Sequence, residues 1–265
     1  MKRLLEKTLD IAIEAGQQIL SVYETEFEVE IKEDGSSVTL ADQRAHELIE
    51  GALQKLDAII PVMSEESSQE VFDERVNWRK FWLVDPLDGT KEFIKRSGEF
   101  TVNIALIENG APILGVVHAP ARDISHFAAT GVGAFKQEGN QSMSAIKVRE
   151  MRANGAIMVA SRSHSGAEVA RFRHNLEQAV GHVEVASMGS SLKICLVAEG
   201  GADIYPRLRP TCEWDTAAAQ CVLEVAGGQI TDLNGQRLKY NKPDILNPWF
   251  LASGDKSIDW TQYLD

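Results

Sequence analysis

Residues 100–120 read FTVNIALIENGAPILGVVHAP, two long apolar runs on either side of Asn109-Gly110. An Asn-Gly pair supplies the left-handed backbone of a tight hairpin turn, so this stretch predicts two apolar antiparallel strands. ISHFAAT and GVGAFKQEG, which follow, extend the same sheet. Before it, FWLV and AIIPVM read as buried strands. FEVEIK alternates Phe27, Val29 and Ile31 against Glu28, Glu30 and Lys32, the two-residue period of a half-buried strand. TLADQRAHELIEGALQKL carries Ala41, Ala45, Leu48, Ile49, Ala52 and Leu56 at helical spacing.

After Arg149 the pattern changes to alternating strands and helices. AIMVASRS is a strand, AEVARFRHNLEQAV a helix, GSSLKICLVAEGG a helix ending at Gly200-Gly201, ADIYPRL a strand, and DTAAAQCVLEVAGGQI a helix stopped by Gly227-Gly228. The expected organisation is therefore α/β in two stacked subdomains: residues 1–148 with an antiparallel sheet, and residues 149–265 with alternating elements.

Composition narrows the function. At 44% hydrophobic and 25% charged, the 265 residues suit one large soluble domain or two modest ones. Three cysteines without CxxC spacing point to a reducing compartment, with neither a disulfide framework nor a zinc site. Glu6, Lys7 and Asp10 interrupt any signal-peptide core. Leu4, Leu5, Thr8, Leu9, Ala12 and Ile19 instead mark one face of an amphipathic first helix. No apolar run reaches membrane-spanning length. A cytoplasmic location follows, with at most loose contact with the inner face of the cell membrane, because Glu6, Asp10 and Glu14 oppose anionic headgroups. A net charge of −12 excludes a broad basic surface for nucleic acid. An acidic chain that handles an anion needs local positive charge, which divalent cations supply.

Carboxylates at element ends are the candidates for holding such cations. FWLVDPLDGTKEF places Asp85 and Asp88 beside Pro86, PVMSEESS places Glu65 and Glu66 after a strand, TLAD places Asp42 and CEWDTAAAQC places Asp215 at helix starts. Each has an innocent reading. Pro and Asp-Gly favour a β-turn, Glu65-Glu66 suits a solvated loop, Asp215 suits an N-cap, and Thr39 with Asp42 suits a capping box. Neighbouring carboxylates otherwise share a proton or hold a cation, and hard oxygen ligands favour Mg²⁺, Mn²⁺ or Ca²⁺ over zinc. No cysteine or histidine falls in these motifs, and His46, His118 and His126 lack metal-ligand spacing, which leaves them structural or solvent-facing.

WLVDPLDGT, the upstream SEE and TLAD, and the downstream WDTAAA together resemble the signature set of the inositol monophosphatase superfamily, Mg²⁺-dependent and lithium-sensitive phosphatases. GTKEF, SMGSSLKICLVAEG and YPRLRPT are similar to its bacterial 3′(2′),5′-bisphosphate nucleotidases, with the likeness running from about Ala12 to Pro248. The resemblance implies a layered αβαβα sandwich, with most metal ligands in residues 1–148. It implies two or three Mg²⁺ ions: Glu65, Asp85 and the Leu87 carbonyl on the first, and Asp85, Asp88 and Asp215 on the second. It further implies that Thr90, backed by Asp42, orients the attacking water. Gly89 and Thr90 would offer backbone N–H groups to phosphate, and Lys193, Tyr205 and Arg207 would lie near the nucleotide.

The implied activity removes the 3′-phosphate of adenosine 3′,5′-bisphosphate to give AMP, and acts also on 3′-phosphoadenylyl sulfate, in sulfur assimilation. The alternative is an inositol or sugar-phosphate phosphatase. The implied partner is a small phosphorylated nucleotide handled by a monomer, with no nucleic acid and no obligate protein partner.

Overall fold

The structure, a computed structural model, describes residues 1–26, 29–31, 37–152, 155–161 and 166–264. The chain opens with α1 (Lys2–Tyr23), the short antiparallel pair β1 (Val29–Ile31) and β2 (Ser37–Thr39), and α2 (Leu40–Leu56). It continues through β3 (Val62–Ser64), α3 (Gln69–Glu74), β4 (Lys80–Asp88), α4 (Thr90–Ile94), β5 (Thr101–Glu108), β6 (Ala111–Ala119), β7 (Ile124–Ala129), β8 (Gly133–Glu138) and β9 (Ser144–Ala145). The second half runs β10 (Ala156–Ala160), α5 (Ala167–Val180), β11 (Val183–Ser187), α6 (Leu192–Ala198), β12 (Ile204–Arg207), α7 (Glu213–Val225), β13 (Gln229–Asp232) and β14 (Phe250–Ser253).

Strands β3 to β9 lie in sequence order in one sheet, antiparallel except for the parallel pair β3–β4. The second sheet has the order β11-β10-β12-β14-β13. The hairpin turn at Asn109-Gly110 takes φ values of 51° and 76°, the double left-handed conformation that Asn-Gly tolerates.

Strand alternation then builds the layers. Trp82 and Val84 of β4 pack with Leu5, Ile19, Ile49 and Leu53 of α1 and α2. Phe81 and Leu83, on the opposite face, pack with Ile194 of α6, with Ala218 and Val222 of α7, and with Val159, Tyr205 and Phe250 of the second sheet. Ala156, Met158, Ile204 and Leu251 face outward onto Phe172 and Leu176 of α5. The order is helix, sheet, helix, sheet, helix: the expected αβαβα sandwich. Sheets covered on both faces need strands apolar at nearly every position, which is why 100–119 shows no polar alternation.

Two expectations change. AIIPVM is a strand only from Val62, since residues 58–60 form a turn and Ile59 is 91% exposed. The Asp85-Pro86 stretch is not a turn, because β4 continues to Asp88. Of FEVEIK, Val29–Ile31 form β1, while Phe27, Glu28 and Lys32 lie outside the described residues. The 148/149 division falls between the sheets in sequence, but α7 packs on β4 to β8 as well as on β13. We propose it as a boundary of chain course and not of independently folding halves.

α7 lies close to the first sheet because small residues meet there. A Cβ on Gly115 of β6 would sit 2.2 Å from the Ala218 carbonyl oxygen and 2.9 Å from Cys221 Cβ. Gly115→Ala is expected to cost about 3 kcal/mol, because backbone has to move. Gly51→Ala, in α2 with nothing within 4 Å of the new methyl, should stabilise by about 0.5–1 kcal/mol. Urea midpoints of the two variants against wild type test the pair; equal shifts would contradict this packing.

Candidate active site

In a regular strand, residues three apart point to opposite faces. Asp85 and Asp88 escape that rule because β4 bulges between them: Asp85 pairs with Asn103 of β5, and the next paired position is Asp88 with Thr101. Pro86 suits the bulge, having no N–H to leave unpaired. Gly89 follows with φ 91° and ends the strand, so that α4 begins at Thr90. The bulge turns Asp88 onto the side of Asp85, where Asp215 joins them. One carboxylate oxygen from each of the three lies within 4.8 Å of the others.

Each carboxylate is oriented by a backbone N–H. Leu87 donates to Asp85 Oδ1 (3.0 Å), Ser191 to Asp88 Oδ2 (2.6 Å), and Cys212 to Asp215 Oδ2 (2.8 Å). The other oxygen of each accepts no hydrogen bond among the described residues. Asp215 is the third residue of α7 and closes a capping box with Cys212, so the capping reading and the clustered carboxylate describe the same residue. Glu65, just past β3, is tied by its N–H to the Val84 carbonyl (3.1 Å) and adds negative charge beside Asp85 and Asp215. Asp42 Oδ2 accepts from both Thr39 N and Oγ1 at 2.7 Å, which makes the capping box real. No hydrogen bond joins Asp42 to Thr90 among the described residues.

A cleft of about 130 Å³ is lined by Asp88, Gly89, Asp215, Lys193, Tyr205 and Arg207. Lys193 is buried, donates to the Ser190 carbonyl (2.6 Å) and lies 5.6 Å from the Tyr205 ring centroid. Arg207 donates to the Pro210 carbonyl (3.0 Å). Glu92, Ser161, Ser190, Ser191, Thr211, Thr216 and Phe250 also line the cleft, and sequence reasoning assigned none of them a role. Glu92 and the two serines stand inside the quoted GTKEF and GSSLK motifs, but a motif does not say which of its residues face a cavity.

Burial, followed by the charges of Glu65, Asp88, Asp215 and Asp42, holds the Asp85 carboxyl well above the usual carboxylate range. Burial, then Asp88, pushes Asp215 up to about 8, against the Cys212 N–H that favours its anion. Burial also raises Asp88, opposed by Lys193 and by the Ser191 N–H, and raises Asp42 to about 6. Lys193 falls to about 8 through burial, with Asp88 resisting. Tyr205 rises to about 12 through burial and stays a neutral hydroxyl at pH 7. A metal-free site therefore retains protons that a hard divalent cation would displace, and the all-oxygen donor set fits such a cation.

The inositol monophosphatase family model matches residues 1–257. The 3′(2′),5′-bisphosphate nucleotidase CysQ of Salmonella typhimurium is 46% identical over 250 residues, 93% of this chain and 98% of that protein. CysQ from Bacteroides thetaiotaomicron, a bacterial member of the inositol monophosphatase family, superposes with a TM-score of 0.85 at 41% identity, over 96% of this chain and 98% of that one. The Thermotoga maritima IMPase superposes with a TM-score of 0.80 at 25% identity, over 100% and 97% of the two chains.

Carboxyls with folded pKa values above their unfolded ones keep protons that the unfolded chain has lost. Stability in chelator should therefore fall as pH rises from about 4 to about 8. Mg²⁺ should flatten that slope. Asp215→Asn keeps an oxygen for the Cys212 N–H and removes one charge, so its melting temperature in chelator at pH 8 should exceed wild type by about 2–4 °C per kcal/mol of repulsion removed. Melts from pH 5 to 8 with EDTA or Mg²⁺ measure both; a slope of opposite sign in EDTA would contradict the electrostatics.

Proposed function

The chain belongs to the inositol monophosphatase family, and from that premise we propose that it is a 3′(2′),5′-bisphosphate nucleotidase. It hydrolyses the 3′-phosphate of adenosine 3′,5′-bisphosphate to AMP and phosphate, acts also on 3′-phosphoadenylyl sulfate, and serves sulfur assimilation and nucleotide recycling. The relatives with 37–46% identity over nearly the whole chain carry the nucleotidase name. The observation that carries the reading is the mix of charge in one cleft, which Asp88 and Asp215 line together with two cations, Lys193 and Arg207. A substrate with two phosphates can engage cations held by the acids and these basic side chains at once, whereas a monophosphate engages only one of the two.

In this reading Glu65, Asp85 and the Leu87 carbonyl would hold one Mg²⁺, Asp85, Asp88 and Asp215 a second, and a third would balance the remaining charge; lithium sensitivity is what the family resemblance implies. When bound, the cations supply an activated water at neutral pH and positive charge for the leaving oxygen. Thr90 orients the attacking water through its hydroxyl. Asp42 accepts the hydrogen bond of that hydroxyl, a contact that ligand binding has to draw closed. Gly89 and Thr90 present backbone N–H groups to the reacting phosphate. Lys193, Tyr205 and Arg207 hold the other phosphate and fix the ribose for in-line attack. With a cation-activated water as nucleophile, hydrolysis needs no covalent phosphoenzyme. The protein works as a cytoplasmic monomer without an obligate protein partner. Among the described residues, no helix is long and apolar enough to cross a membrane.

Phosphate release assayed on bisphosphate nucleotide, sulfated nucleotide, inositol monophosphate and fructose bisphosphate, with and without Mg²⁺, tests this. The expected outcome is Mg²⁺-dependent preference for the two nucleotides; faster turnover of inositol monophosphate would assign the chain to the other branch of the family. Asp88→Asn should lower kcat by about 10²-fold or more with the fold intact, the scale of losing one charge-stabilising group. Lys193→Met should act mainly on KM for the bisphosphate, by about tenfold to a hundredfold, as loss of one hydrogen bond to a charged group.

A further inference from the structure

Glu99 lies just before β5 and does not line the cleft, yet it is a carboxylate only 1% exposed. A buried carboxylate persists where charge and hydrogen bonds compensate it. For Glu99 they come from two distant segments: Arg122 Nη2 donates to Oε1 (2.6 Å), and the Gly189 N–H donates to Oε2 (2.8 Å). The contact with Gly189 is close on every side. A Cβ there would lie 2.8 Å from both the Cβ and the carbonyl oxygen of Glu99, so only glycine lets the 189–191 segment lie against this strand.

The next residue, Ser190, has φ 46°. For a non-glycine residue that conformation costs roughly 1 kcal/mol or more and lasts only where the surroundings impose it. The imposition comes from both sides. Glu99 holds Gly189, while Ser191 Oγ bonds Asn103 Oδ1 (2.8 Å) and Thr101 Oγ1 (2.9 Å) of β5. Two functional atoms hang from the segment clamped in this way. The Ser190 carbonyl accepts from Lys193 Nζ, and the Ser191 N–H donates to Asp88 Oδ2, both at 2.6 Å. A shift of this peptide unit moves the ammonium and the carboxylate together.

We propose that Glu99 is a positioning residue: by pinning residues 189–191 to β5, it sets the Asp88 carboxylate and the Lys193 ammonium at once. Its effect on Asp88 concerns cation affinity and its effect on Lys193 concerns nucleotide affinity, so its loss weakens two kinds of binding through one segment. The nucleotide half of this inference rests on the bisphosphate reading above, whereas the cation half does not.

The test is calorimetric titration of the chelator-stripped protein with Mn²⁺ alone and then with AMP, alongside steady-state kinetics. Glu99→Ala should weaken Mn²⁺ binding about tenfold or more, the usual cost of losing a residue that orients a ligand. It should weaken AMP binding as well and lower kcat/KM, with an unchanged circular dichroism spectrum. Glu99→Gln keeps an oxygen for the Gly189 N–H and should stay within about threefold of wild type on all three readouts. Gly189→Ala leaves Glu99 in place but lifts the segment, and should reproduce the joint loss even if Glu99→Ala does not fold. If either variant folds, melts lower and keeps wild-type Mn²⁺ and AMP affinities, Glu99 is a structural brace and the proposal fails. A wild type that binds Mn²⁺ but ignores the bisphosphate would instead sink the nucleotidase reading, leaving the cation half standing.

Discussion

Three aspartates with ligand oxygens inside 4.8 Å repel one another, and the folded chain must oppose that repulsion before any ligand arrives. It does so with three backbone N–H groups, one for each carboxylate, from Leu87, Ser191 and Cys212. Backbone donors suit this task because they stay charge-neutral and are placed by secondary structure, so they orient an anion without cancelling its capacity for a cation. Holding one oxygen of each carboxylate leaves the other without a hydrogen bond among the described residues. The raised pKa values of Asp85, Asp88 and Asp215 record burial first, to which neighbouring carboxylates add at Asp85 and Asp215.

The layers explain why those donors meet. α6 and α7 lie between the two sheets, packed on the first through close contacts such as Gly115 against Ala218. Their N-terminal ends therefore arrive at the bulged end of β4. Cys212 and Asp215 come with α7, Ser191 and Lys193 with α6, and Asp85 and Asp88 with β4. Neither half of the chain contains the cluster alone. The site is a product of stacking one sheet on the other through a shared helical layer.

Charge along the cleft follows from the same geometry. Asp88 comes from the end of β4, Asp215 from the start of α7, Lys193 from α6 and Arg207 from β12, and all four line one cleft. Burial lowers Lys193 and raises the aspartates, so in the free protein both kinds of group lean toward neutrality. Cations on the acids and an anion on Lys193 would each restore the charged form of the residues they touch. Binding and ionisation are thus linked within the cleft.

Much was legible in the residues alone because the rules involved are local. The Asn109-Gly110 turn, the runs around it, the Thr39–Asp42 capping box and the helix stop at Gly227 depend on neighbours a few positions away. Motif resemblance extended that reading to the five-layer architecture. What no local rule contains is the bulge that reverses Asp88, which the Asp-Pro-Leu-Asp-Gly sequence presents equally well as a turn. Nor does it contain the exposure of Ile59 or the entry of Glu92 into the cleft. Periods of 2 and 3.6 and cap chemistry belonged to the sequence. Which carboxylate faces which, and which buried acid braces the segment behind it, depended on how the layers stack, since only packing brings residues from both halves within hydrogen-bonding distance.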